Sequence, residues 1–252
     1  MQKLRVEGNS YFCECRKPFQ GVPINPQSIS EAMNFAYDMA FGEGYHRSHR
    51  TGGQSNRKGG EIFCNTFQGK VSEICLKDLL VSSSVFCNDV DFNVYGKGLW
   101  DEEDLIANEK TISIKSSAHF SHLLLLETED YDNNGNYLPN VKSGKLPKYD
   151  YYVMIRVKPD IKSLFKTQRW LYKEQLEKKS INNVINLNEW SYDFAGWISH
   201  KELVKIIQEK QVIPQNALLN GKIKMDANNY YVQSGDLYSL EGLIRELKYE
   251  ID

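Results

Sequence analysis

The run Tyr149-Asp150-Tyr151-Tyr152-Val153-Met154-Ile155-Arg156-Val157 is the tightest constraint on the fold of this chain. Apolar and aromatic residues follow one another here without the polar alternation of a strand that has one wet face, so the run reads as a central strand. Such a strand needs neighbours beside it and cover above and below. Shorter β-favouring runs supply the neighbours: Val90 to Tyr95, Leu105 to Ala107, Thr111 to Ile114, Leu123 to Leu126, and short strands around Asn228 to Val232. Helical periodicity supplies the cover. One helix starts with Ser28 or Ser30 as N-cap and ends at Gly42, and a second runs from Thr66 to Leu80 with Thr66 as N-cap. Others fall near Trp170 to Lys179, at His200 to Lys210, and at Leu240 to Tyr249 behind Ser239. The fold class is α/β (α+β), a mixed central sheet flanked by helices.

At 252 residues, with 41% hydrophobic and 25% charged side chains, the chain is long enough for one sizeable core and shows no disorder signature. There is no internal repeat and no low-complexity linker, so residues 1–252 are read as one domain. Its core spans about 66–157, preceded by an irregular N-terminal arm and followed by a C-terminal subregion at about 190–252. A formal net charge of −2 neither requires nor excludes a nucleic-acid partner. No stretch approaches the roughly 18 consecutive apolar residues of a membrane span, and the first five residues lack the apolar run of a secretory signal, so the expectation is no membrane and a cytoplasmic location. Cys13, Cys15, Cys64, Cys75 and Cys87 are odd in number and scattered, as reduced thiols in a reducing compartment are. No second ligand pair stands at zinc spacing from Cys13-x-Cys15, and the cysteines are read as packing residues.

Chemistry concentrates in Asp101 to Ser117, DEEDLIANEKTISIKSS, where an acidic cluster leads into two short strands and the second ends on a lysine. A polar turn, Asn108-Glu109-Lys110, makes the two runs a hairpin, and antiparallel pairing sets Asp104 roughly opposite Lys115. An aspartate and a lysine on one face can place a metal ion and a water at one phosphodiester; in isolation the same pair is an ordinary surface ion pair. Asp101, Glu102 and Glu103 are alternatives to Asp104, which abuts the strand.

Upstream, Gly44 to Gly60 combines Arg47, Arg50, Arg57 and Lys58 with Gln54, Asn56 and five glycines, and nothing in it can build a core. Basic side chains reach phosphates, Arg, Gln and Asn read base edges, and glycine allows close backbone approach to a ligand. The alternative is a solvated loop. Its position before the next helix favours DNA contact, and Lys70 on that helix is grouped with it. Glu73 falls at the edge of the same helix's apolar arc, about 100° per residue being the helical step.

The order of helix with a glutamate, strand, strand opened by Asp104, strand closed by Lys115 and further apolar strand resembles the common core of the PD-(D/E)XK nuclease superfamily. The match runs from about Thr66 to Val157. RKGGEIFCNTFQGKVSE before it, and FAGWISHKEL and KMDANNYYVQSGDL after it, resemble segments of type II restriction endonucleases. The resemblance implies Mg²⁺-dependent hydrolysis of double-stranded DNA that leaves 5′-phosphate and 3′-hydroxyl ends. It also implies a homodimer acting on a palindromic site. Asp104, Glu73 and the backbone carbonyl of Ile114 would hold the metal, and Lys115 would stabilise the attacking hydroxide. The family pattern carries an acid two positions before the lysine, where this chain has Ser113. Glu73 is the first candidate to replace it and Glu129 the second. A catalytically silent DNA-binding module and a repair or junction-resolving nuclease are the alternative functions.

Overall fold

The computed structural model describes residues 1–42, 58–93, 105–142, 144 and 148–248. In chain order the elements are β1 (Arg5–Glu7), β2 (Ser10–Phe12), β3 (Val22–Pro23), α1 (Pro26–Phe41), α2 (Gly59–Ser82), β4 (Leu105–Ala107), β5 (Lys110–Ala118) and β6 (Leu123–Glu127). They continue with α3 (Leu138–Lys142), β7 (Tyr151–Lys158), α4 (Ile161–Thr167), α5 (Lys178–Asn186), β8 (Ser191–Ser199), α6 (His200–Gln208), β9 (Val212–Ile213), β10 (Leu218–Leu219), β11 (Ile223–Lys224), β12 (Asn229–Gln233) and α7 (Leu240–Lys248).

The expected central strand is β7. It sits third in a five-stranded sheet of order β3-β8-β7-β5-β4, parallel to β5 and antiparallel to β8. Its side chains alternate between two cores, as the two-residue period of a strand requires. Tyr151, Val153, Ile155 and Val157 pack with Ala32, Met33 and Ala36 of α1 and with Phe63, Phe67 and Val71 of α2. Tyr152 and Met154 join Leu124 and Leu126 of β6, Leu203, Ile206 and Ile207 of α6, and Val232 of β12. The mixed α/β class with helices on a central sheet is therefore what the chain adopts. The second face is covered differently from the expectation: a small antiparallel sheet β6-β12-β9 lies there beside α6.

Other expectations need correction. Residues 1–23 are not wholly irregular, because β1 and β2 form a hairpin and β2 runs parallel to β10, tying the amino-terminal arm to the carboxy-terminal third. The cap of α1 is Asn25, whose side chain accepts from Gln27 N at 2.9 Å, with Pro26 at the first turn. Helix α2 begins at Gly59, well before Thr66. Its two leading glycines press on the backbone at 170–174, where a Cβ on Gly60 would stand 2.2 Å from the Trp170 carbonyl oxygen. The close approach that glycine permits at these two positions is thus to the chain itself. Residues 90–93 carry no strand, and the helix expected near Trp170 to Lys179 starts only at Lys178. The turn between β4 and β5 is two residues, Asn108 and Glu109, with φ of 43° and 64°. Positive φ at both central positions matches the twist of the flanking strands, and Lys110 belongs to β5.

Candidate active site

Lys115 sits past the last β4–β5 pair: the ladder joins Leu105 to Ile112, Ile106 to Thr111 and Ala107 to Lys110. On its other edge β5 continues along β7, with Lys115 opposite Met154 and Ser117 opposite Arg156. Ser113, Lys115 and Ser117 share one face by alternation, and Lys115 opens into a cavity of about 400 Å³. Its Nζ lies 5.9 Å from the centre of the Tyr137 ring and, among the described residues, has no ion-pair partner.

The cavity is polar in a sorted way. Asn65 and Gln68 of α2 and Lys162 of α4 line one part with donors, while Glu127, Asp130 and Asp226 bring carboxylates. Glu127 ends β6, and Asp130 follows one short turn later at Thr128–Asp130. Pairing of Asn229 with Glu127 carries the segment before β12, and with it Asp226, to the same place. Two enclosed polar atoms of the lining, Ser117 Oγ and Asp130 Oδ1, have no hydrogen-bond partner among the described residues. Tyr131 is also in the lining, and burial among Tyr152, Tyr137 and Tyr149 pushes its phenol well above its ordinary range, so it stays protonated at neutral pH.

The other expected site residues distribute as follows. Ile114 lines the cavity beside Lys115. Glu73 does not. It lies on the α2 stripe that carries Asn65 and Gly69, in steps of four residues, and its carboxylate is 2.5 Å from Lys70 Nζ. Lys70 is 4% exposed, donates also to the Asp91 carbonyl at 2.7 Å, and has the rings of Phe35 and Phe92 within 4.8 and 5.6 Å. Its grouping with the DNA-contacting side chains is corrected by this burial: the ammonium positions Glu73 and is closed to a phosphate. Lys58 is half exposed beside the first turn of α2 and pairs with Glu174 at 2.5 Å. Glu129 is exposed and outside the lining, whereas its neighbours Glu127 and Asp130 are in it. Asp104 and its alternatives Asp101, Glu102 and Glu103 lie outside the described residues, as do Arg47, Arg50, Gln54, Asn56 and Arg57.

Among the described residues no three of His, Cys, Asp and Glu gather as a metal-binding group. The cysteines behave as packing residues: Cys13, Cys64, Cys75 and Cys87 are buried, and burial pushes the thiol of Cys75 up to about 12 and that of Cys87 up to about 11. Neither is a thiolate nucleophile at neutral pH. No described helix is long and apolar enough to cross a membrane.

Sequence reasoning missed Glu127, Asp130, Asp226, Asn65, Gln68 and Lys162. The first two carried a signal, since they bracket Glu129 in ETED and a tight turn brings residues three apart to one side. Asp226 carried none, because only the β6–β12 pairing delivers it. Comparison with family models, with curated proteins and with solved structures finds no match to this chain.

Proposed function

We propose that the chain is a Mg²⁺-dependent, sequence-specific double-strand DNA endonuclease of restriction type, working in the cytoplasm as a homodimer. The observation that carries the reading is the placement of Lys115: a lysine on β5, beyond its paired segment with β4, opening into a cleft that also holds carboxylates. The fit to a hard cation rests on the donor set, which is oxygen-rich, and on the enclosed Asp130 Oδ1. Asp104, Glu73 and the Ile114 carbonyl remain the metal ligands implied by the family resemblance. When bound, Mg²⁺ would neutralise the scissile phosphate and acidify a water.

The side chains divide the remaining work. Lys115 offers an ammonium to a non-bridging phosphate oxygen and stabilises the hydroxide as it attacks in line. Asn65, Gln68 and Lys162 offer donors that hold the phosphodiester against the floor of the cleft. The buried Lys70 keeps Glu73 ionised and oriented. Arg47, Arg50, Arg57 and Lys58 position the duplex through phosphates, with Gln54 and Asn56 as base readers.

The test is incubation with a long duplex and Mg²⁺, followed by sequencing of the product ends. A discrete ladder with 5′-phosphates is expected, and Lys115→Ala should remove it while leaving DNA binding within about twofold. A smear would replace the restriction role with nonspecific cleavage. Intact DNA that is nonetheless bound would make the chain a DNA-binding module, the reading that Ser113 favours.

A further inference from the structure

We infer that Asp130, with Glu127 and the Ser117 hydroxyl, forms a divalent-cation site in the Lys115 cleft and supplies the carboxylate that Ser113 lacks. This rests on the nuclease reading for its use but not for its chemistry. An ionised carboxylate only accepts hydrogen bonds, so an enclosed oxygen needs a donor or a cation. Asp130 Oδ1 is enclosed, yet it has neither a hydrogen-bond donor nor an ion-pair partner among the described residues. Leaving such an oxygen unmatched costs on the order of 1 to 3 kcal/mol. Ser117 Oγ is a second enclosed oxygen in the same position, lining the same cavity from β5. Two partnerless oxygens and a further carboxylate, Glu127, thus meet in one space of about 400 Å³.

The occupant follows from hardness and charge. All three groups are oxygen donors, and no described histidine or cysteine lines the cavity. Mg²⁺ and Mn²⁺ take such ligands and retain several waters, so two carboxylates suffice. Asn65, Gln68, Lys162 and Lys115 leave room on the donor side for the phosphate that a cation here would face. Glu73 is held by Lys70 and is not in the lining, so it is not the replacement for Ser113 in this arrangement.

Titration of the DNA-free protein with Mn²⁺, followed by the loss of the free-ion paramagnetic resonance signal, tests the site without reference to cleavage. Wild-type protein should bind Mn²⁺, with Asp130→Asn weakening it at least tenfold and Glu127→Gln at least threefold. Glu129→Gln, in the exposed neighbour, should leave it unchanged, and circular dichroism melting verifies that each variant is folded. Equal binding by wild type and both folded lining variants overturns the inference, as does wild-type protein that takes up no Mn²⁺. Should Asp130→Asn fail to fold, Glu127→Gln decides by the same criterion. The two readings separate cleanly: Asp130-dependent Mn²⁺ binding without cleavage of any duplex sinks the nuclease and keeps the site. Cleavage at the wild-type rate by Asp130→Asn keeps the nuclease and sinks the site.

Discussion

Arg156 is the residue whose setting is least expected from its neighbours in sequence. It stands inside an apolar run, is fully buried, and has a partner for each arm of its guanidinium. Nε and one terminal nitrogen bind both oxygens of Asp193, at 2.8 and 2.5 Å. The Lys17 and Pro18 carbonyls accept at 2.9 Å each, and Ser121 O at 3.3 Å. One side chain thereby joins β7, β8, the amino-terminal arm and the segment leading to β6. Removing one member of a buried pair leaves the other charge without compensation, which costs about 3 to 5 kcal/mol. Asp193→Ala should lose about that much in urea unfolding; a loss below about 1 kcal/mol would mean that the carbonyls alone satisfy the guanidinium. Lys115 and Asp130 show the same limit on legibility from the other side. Lys115 was readable because it follows its strand directly, whereas Asp130 gains its meaning from enclosure, which composition does not encode.

At the scale of elements, what could be read was what local periodicity decides. β7, β6, α6, α7 and the β4–β5 hairpin follow from apolar runs and turn chemistry within a few residues. The start of α2 did not, because Gly59 and Gly60 look like loop residues until the 170–174 backbone is brought against them. The two kinds of glycine in this helix give opposite expectations. Gly60→Ala should destabilise by about 1 to 3 kcal/mol, the usual cost of overpacking, since the new Cβ would meet backbone that cannot swing aside. Gly69 has nothing within 4 Å of a built Cβ, so Gly69→Ala should stabilise by about 0.5 to 1 kcal/mol through the lower entropy of the unfolded chain. Chemical denaturation of the two variants beside wild type decides this. If both substitutions shift stability in the same direction, the packing of α2 against 170–174 is not what fixes its first turn.

Over the whole molecule, near-neutrality turns DNA binding into a local question. A formal net charge of −2 gives no general attraction to a polyanion, so affinity for a duplex has to come from one face. Lys70 is withdrawn from that face by burial, and Lys58 shares its charge with Glu174. The burden of phosphate neutralisation therefore falls on Arg47, Arg50 and Arg57, whose number sets a slope. Each phosphate contact to B-DNA contributes roughly 0.9 to the fall of log K with log salt. Replacing all three arginines by glutamine should flatten the measured slope by roughly 2.7 if each meets one phosphate. Binding isotherms on a noncleavable background, Lys115→Ala, at several salt concentrations give that number directly. A slope equal to the parent's would mean that residues 44–60 touch no phosphate, and that the duplex is held by the donors of the Lys115 cleft instead.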